Sequence, residues 1–265
     1  MTDIVVSVAD GVGTVRLNRP DRGNSVTPDV VQRMGEAVTE LAETDSVSAV
    51  VLTGTGKVFC AGADVREMYG VYTGDGPDAL MDYLADIWMP AVQVTVRMLW
   101  GAPVPVVAAY NGAATAGGLD FGLACDVRIA SSRARFAESY VNLGMVPVAG
   151  GAYLLPSLIG SAAALRLLAT GEFISAESAL ALGMVGEVRE PDELMDRAQE
   201  LAHDMTHGPS ATYASVKKIT RAISTVELDA ALRASLAANI ELIARPDVRT
   251  GILAVMERYS AGSSS

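Results

Sequence analysis

The 265-residue chain is poor in several things at once. Two cysteines, Cys60 and Cys125, cannot build a disulfide framework, which points to a reducing compartment, the cytoplasm. Cations are scarce: 20 Lys and Arg stand against 31 Asp and Glu, for a net charge of −11. Such a chain offers no broad cationic face to a phosphate backbone, which argues against nucleic acid as a partner. No apolar run approaches the ~20 residues of a membrane span, and Met1-Thr2-Asp3 lacks the basic segment and apolar stretch of a signal peptide. Aromatic residues are only 5% of a chain that is half hydrophobic, so the core is expected to be mainly aliphatic. That hydrophobic half excludes a disordered chain. It suffices for one large α/β domain, or a main body with a small appendage.

Alternation announces the first strands. Ile4 to Val8 and Val12 to Leu17 flank Asp10-Gly11 and read as a β-hairpin. After the polar loop Asn18 to Asn24, Thr27 caps a helix with Pro28 in its first position, running to about Glu43. Residues 49–52, 104–109 and 127–130 are short apolar strands. From residue 161 helical spacing takes over, at 161–170, 176–182, 191–206, 210–223, 227–244 and 246–260, before a frayed tail at 261–265. No fixed-period repeat is present.

Two strand–loop–helix junctions are rich in small residues. One is Phe59-Cys60-Ala61-Gly62-Ala63-Asp64; the other runs from Asn111 through Ala116-Gly117-Gly118 to Asp120. Small residues there let backbone N–H groups approach a ligand, and a following helix adds its positive dipole end. Two converging donors would form an oxyanion hole, each worth roughly 3 kcal/mol in a transition state. The same glycines equally serve close helix–sheet packing, and spacing alone does not choose. Gly54-Thr55-Gly56-Lys57-Val58 lacks the four-residue gap and the hydroxyl after lysine of a triphosphate loop, and the third glycine of a dinucleotide fingerprint.

The run Asn111 to Asp126, NGAATAGGLDFGLACD, followed by Val127 to Ser131, resembles the signature of the crotonase (enoyl-CoA hydratase/isomerase) superfamily. Leu17 to Pro20 with Asn24 is similar to its N-terminal coenzyme A loop, and residues 59–64 to its first oxyanion segment. Leu143-Gly144, Pro147 and Gly150-Gly151 resemble the stretch after its second catalytic segment, and Leu168 to Gly171, Ala179 and Gly183 to Val185 its late helical region. The resemblance implies an α/β fold, a crotonase-like spiral of ββα units, with a core at residues 1–195 and a helical trimerisation region at 196–265. It further implies homotrimers or homohexamers of fatty acid metabolism that act on acyl-CoA or acyl-carrier thioesters. No metal is implied, and no cofactor beyond the coenzyme A of the substrate. The family's oxyanion donors map onto the N–H groups of Ala63 and Gly117, and its substrate contacts onto Arg22, Ala61, Asp64, Met68 and Gly118.

Enoyl-CoA hydratases of this kind use two glutamates, and here the chain departs from the pattern. The first position holds Asp120, shorter in reach by about 1.5 Å. The second, after Phe136, holds Tyr140, a poor base with a pKa near ~10 that can still donate a hydrogen bond. If the stretch is extended, Glu138 points to the same side as Tyr140 and substitutes as a catalytic carboxylate; otherwise it is a solvated loop residue. Without a second carboxylate, hydration loses on the order of 10²–10⁴ in rate. Dienoyl-CoA isomerases of the family share an Asp at the first position but place acids where this chain has Tyr140 and Val148, so the resemblance does not support isomerisation either. Some decarboxylating members lack the second glutamate, and one type carries a stretch similar to Val141-Asn142-Leu143-Gly144. The expected activity is that of an enoyl-CoA hydratase-like lyase stabilising a thioester enolate. The alternatives are decarboxylation of a malonyl-type thioester, a proton shift or carbon–carbon cleavage by Asp120 alone, and a CoA-ester-binding protein without hydratase activity.

Other candidates have plainer readings. His203 and His207 share a helix face at zinc-motif spacing, but Gly208-Pro209 ends the helix and no third ligand is evident, so His207 reads as a cap. Cys60 lacks a histidine partner, and Cys125 reads as a buried, inert thiol. Tyr69, Tyr72, Tyr83, Trp88, Met89, Met98 and Trp100 read as core or interface residues in a segment that shapes the acyl pocket in the family, and Arg66 as a solvated helix residue. Arg16, Arg19, Arg22 and Lys57 cluster where the resemblance places the CoA nucleotide, with Asp21 weakening the contact.

Overall fold

The computed structural model describes residues 2–262, with side chains through residue 258. In chain order the strands are β1 (Ile4–Ala9), β2 (Val12–Leu17), β3 (Ala49–Gly54), β4 (Val58–Cys60), β5 (Val106–Tyr110), β6 (Ala113–Thr115), β7 (Val127–Ser131), β8 (Arg135–Ala137), β9 (Ile174–Ser175) and β10 (Glu187–Arg189). The helices are α1 (Pro28–Ala42), α2 (Val65–Asp75), α3 (Pro77–Asp82), α4 (Met89–Gly101), α5 (Gly117–Leu123), α6 (Gly151–Ile159), α7 (Ser161–Thr170), α8 (Ala176–Ala181), α9 (Leu194–Asp204), α10 (Ser210–Thr220), α11 (Ala222–Ala244) and α12 (Pro246–Gly262).

β1 and β2 form the expected antiparallel hairpin, with Asp10 and Gly11 at φ 47° and 77°, the conformation an Asp-Gly hairpin turn favours. The large sheet then continues in parallel, in the order β1-β2-β3-β5-β7-β10. β3 and β5 are buried along their whole length, as strands covered on both faces must be. Successive side chains of β3 enter opposite cores: Val50 and Leu52 meet the stripe of α1 that includes Met34 and Val38, while Val51 meets Leu194, Ala198 and Ala202 of α9. The domain boundary expected at residue 195 therefore falls inside a helix that packs on the body's central sheet.

Thr27 Oγ1 accepts the Val30 N–H at 3.3 Å, capping α1 as read from sequence. Between α3 and α4 the helix widens into a π turn at Tyr83–Trp88. Pro90, two residues on, lacks the N–H that would reach back to Asp86, so the regular ladder is interrupted there. α10 is anchored through charge: Lys217 Nζ and Arg221 reach Asp126 at 2.8 and 2.9 Å, and the Arg221 guanidinium lies 3.7 Å above the Trp100 ring. α12 turns back to pack on α2. Residues 261 and 262 of the expected tail close α12, and the rest of that tail lies outside the described residues. Among the described residues no helix is long and apolar enough to cross a membrane.

Candidate active site

A second, four-stranded sheet, β4-β6-β8-β9, builds the site. β4, β6 and β8 run parallel, so their C-terminal ends open on one edge, the place where parallel sheets bind ligands. β4 delivers Ala61 to Ala63, β6 delivers Ala116 and Gly117, and β8 delivers Glu138 to Tyr140. Thr115 Oγ1 donates to the Ala61 carbonyl at 3.0 Å and the Ala116 N–H to the Ala137 carbonyl at 2.9 Å, locking the three ends together.

Gly62 adopts φ 86°, and a Cβ there would lie 3.1 Å from the Thr115 carbonyl and 3.7 Å from the Gly117 nitrogen. Only glycine permits this approach of the two N–H-bearing loops. Among the described residues, neither the Ala63 nor the Gly117 N–H donates to a protein acceptor. Ala116, at φ 48° and ψ −127°, holds a conformation that glycine favours and turns the chain into α5. The packing role of the glycine cluster falls to its neighbours. A Cβ on Gly118 would crowd Cys60, at 2.8 Å from its Cβ, and one on Gly122 would strike the Tyr110 ring.

Against these loops lies a cavity of about 280 Å³. Its wall includes Ala61, Ala63, Met68, Leu84, Trp88, Ala116, Tyr140, Asn142 and Met145, and α12 contributes Val255, Met256 and Arg258. Tyr140 lines this wall, and its hydroxyl donates to Asp120 Oδ2 at 3.2 Å. Asp120 and Glu138 stand behind it, fully buried. The stretch is not extended, because Ser139–Leu143 forms a 3-10 turn, and Glu138 is 1% exposed rather than solvated. Both acids face Gly151: a Cβ there would fall 2.5 Å from Glu138 Oε1 and closer still to Asp120 Oδ1. Sequence reasoning thus had the three side chains together but missed which of them sees the cavity.

Burial sets the electrostatics. It raises the Asp120 carboxyl from its ordinary value to about 7, against the lowering effect of Glu138, the Tyr140 hydroxyl and the Gly151 N–H. Burial and the Asp120 charge push Glu138 well above the carboxylate range. Burial and both carboxyls raise Tyr140, so its hydroxyl stays protonated.

The remaining candidates divide cleanly. Ala61 and Met68 line the cavity, whereas Arg22, Asp64 and Gly118 do not. Asp64 binds Arg19 at 2.7 Å and Arg22 at 3.3 Å and caps α2 through the Arg66 N–H. Burial opposes its ionisation, yet the Arg19 charge and these bonds hold its carboxyl below the ordinary value. Burial pushes the thiols of Cys60 and Cys125 up to about 12, far from a thiolate at neutral pH. His203 and His207 are exposed, and no group of metal-binding side chains occurs among the described residues. Leu84, Asn142, Met145 and the α12 residues were missed by sequence reasoning; helical periodicity marks α12 as a helix but says nothing of where it folds back.

Residues 7–262 match the family described as enoyl-CoA hydratase/isomerase. A short-chain-enoyl-CoA hydratase of Clostridium acetobutylicum is 33% identical over 97% of this chain and 96% of its own length. A 1,2-epoxyphenylacetyl-CoA isomerase of Escherichia coli is 33% identical over 98% and 97% respectively. The crystal structure of an enoyl-CoA hydratase from Mycobacterium avium subsp. paratuberculosis superposes with a TM-score of 0.82 at 29% identity, covering 96% of this chain and 98% of that one. The fold is therefore the crotonase fold, that of acyl-CoA-processing enzymes. Within it, the chain belongs to the enoyl-CoA hydratase/isomerase family.

Proposed function

We propose that the protein shifts a proton within an enoyl thioester through an enolate, using Tyr140 and Asp120 as a single proton-handling unit. The observation that carries this reading is the Tyr140 hydroxyl on the cavity wall, joined to a buried carboxyl whose affinity for protons is tuned near neutrality. Tyr140 takes a proton from the acyl carbon as it passes its own to the Asp120 carboxylate. The electron pair of the broken C–H bond moves into the dienolate. Its charge rests on the thioester oxygen, facing the N–H groups of Ala63 and Gly117, each such donor contributing about 3 kcal/mol. Return of the proton to a different carbon completes the isomerisation. Two-carboxylate hydration needs one group to orient water and another to deliver a proton, and among the described residues this cavity wall carries no carboxylate.

Purified protein is to be given crotonyl-CoA, a β,γ-enoyl-CoA and methylmalonyl-CoA, while hydration, double-bond migration and CO₂ release are followed. Migration is expected, reduced by on the order of 10²-fold or more in Asp120→Asn and Tyr140→Phe. Full turnover in Asp120→Asn would overturn the mechanism, CO₂ release would establish the decarboxylase alternative, and tight binding without turnover the binding-protein alternative. Subunit assembly into homotrimers or homohexamers is supported by the exposed apolar stripe Val216, Ile219, Ile223 and Val226 on α10 and α11. Two buried free thiols accord with a cytoplasmic setting.

A further inference from the structure

Glu138 has no evident task in that scheme, yet it is costly to keep. A carboxyl that is 1% exposed, with no wall position on the cavity, sits against a second buried carboxyl. Among the described residues, no Lys, Arg or His pairs with either acid. Two buried carboxylates side by side without a cation cannot both be ionised, because neither Coulomb repulsion nor desolvation is compensated.

Hydrogen bonding says which acid keeps the proton. Asp120 accepts a hydrogen bond from the Tyr140 hydroxyl at Oδ2, and the Gly151 N–H at the start of α6 further favours its charged form. Glu138 is offered none: both its oxygens, and Asp120 Oδ1, lack a donor. Three orphaned acceptors in a dry interior would each carry a desolvation penalty. A proton on Glu138 turns one of them into a donor aimed at the neighbouring acceptor. The other titratable groups around the pair are Tyr140 and Tyr110, and the Tyr110 hydroxyl is engaged with the Leu119 carbonyl at 3.0 Å.

We propose that Glu138 is a positioning residue: its carboxylic O–H donates to Asp120 Oδ1 and fixes the Asp120 carboxylate with Oδ2 turned to Tyr140. The proton stays on Glu138 throughout turnover, while the transferred proton moves between substrate, Tyr140 and Asp120. The functional consequence rests on the isomerase reading above; the shared-proton geometry does not.

Two substitutions separate the roles. Glu138→Gln keeps a donor toward Asp120 Oδ1 but has no proton to lose, and Glu138→Leu removes the donor. Turnover in Glu138→Gln is expected within about tenfold of wild type. Glu138→Leu is expected to fall by about 10² or more in kcat with KM little changed, since a misaimed catalytic group costs that much and Glu138 does not touch the cavity. A loss of activity at alkaline pH in the wild type, where Glu138 finally ionises, is expected to disappear in Glu138→Gln. Infrared spectroscopy of the unliganded protein at mildly alkaline pH gives a readout independent of any substrate. The C=O stretch of a protonated carboxyl is expected in the wild type and in Asp120→Asn, and absent from Glu138→Gln. If wild type and Glu138→Gln give the same carboxyl spectrum, or if Glu138→Gln is as impaired as Glu138→Leu, the proposal is overturned. Should Glu138→Leu fail to fold, or the enoyl thioesters not turn over, the infrared comparison alone decides.

Discussion

Gly151→Ala is the smallest change that addresses the buried acids directly. Gly151 opens α6 in helical backbone that alanine adopts without strain, so conformation is not the obstacle. Space is. The added methyl carbon would fall 2.5 Å from Glu138 Oε1, nearer still to Asp120 Oδ1, and 3.1 Å from Asp120 Cγ. Both carboxyls are buried and have no solvent to retreat into, so the pair must spread or α6 must slide. Overpacking of this kind costs roughly 1–3 kcal/mol. For a chain of this length about 2 °C of Tm corresponds to each kcal/mol, which puts the loss at roughly 2–6 °C.

Catalysis should suffer more than stability, because displacing Asp120 by even ~1 Å from Tyr140 costs on the order of 10² in rate. Gly70→Ala supplies the control. Gly70 lies inside α2, exposed, with nothing within 4 Å of where its Cβ would stand. The same chemical change there is expected to stabilise by roughly 0.5–1 kcal/mol and to leave turnover intact. Calorimetric Tm and kcat on the active thioester, measured for both variants, check this. A Gly151→Ala protein with wild-type Tm and wild-type kcat would refute the tight arrangement of Asp120 and Glu138.

Stability should depend on pH through the same acids. Asp120 titrates at about 7 in the folded chain against 3.8 ordinarily, so its contribution is fully present below the ordinary value and is lost as pH rises through about 7. The wild type is expected to lose up to about 4 kcal/mol across that window. Asp120→Asn should show a flatter urea-denaturation profile and exceed the wild type in stability above pH 7; an unchanged slope would count against the burial argument. Asp126→Ala strands Lys217 and Arg221 without their carboxylate and should cost roughly 3–5 kcal/mol, read as a Tm drop of roughly 6–10 °C, with a loss below about 1 kcal/mol contradicting the anchor role of the cluster. Ala116→Gly relieves a backbone held at φ 48° and should raise stability by about 1 kcal/mol in denaturant titration.

Periodicity carried much of the fold. The Asp10-Gly11 hairpin, the Thr27 cap and the helix at Ser161–Thr170 are local matters, set by turn chemistry and by apolar spacing within one element. The four-stranded sheet was not legible, because β4, β6 and β8 have three residues each, too few to show a period. Their register is fixed instead by ties such as Thr115 to Ala61, 54 residues apart in sequence. Glu138 shows why a residue can be singled out in sequence and its surroundings still be misread. In sequence it reads as a solvated loop carboxylate, and only Gly151, from another helix, reveals that it is enclosed. Arg19 and Arg22 likewise looked free for a phosphate because their partner Asp64 lies more than 40 residues away.

That pairing moves the cation supply. On the proposed reading a CoA thioester, itself polyanionic, must approach a chain of net charge −11. With Arg19 and Arg22 bound to Asp64, the exposed cations that carry no ion pair among the described residues include Lys57 and Arg66, together with Arg258 on the cavity wall. Lys57 precedes Val58, whose side chain, with that of the wall residue Ala61, stands next to Gly23. Repulsion from the whole chain acts over tens of ångströms and is screened within about 10 Å at 0.1 M salt, whereas a contact between Lys57 and a phosphate is screened far less. KM should therefore fall from very low to moderate ionic strength before rising again as local contacts weaken. Lys57→Ala should raise KM severalfold at moderate salt with kcat unchanged, as loss of ground-state binding requires. A KM that climbs monotonically from the lowest salt, in both proteins alike, would show that the nucleotide meets a different set of cations.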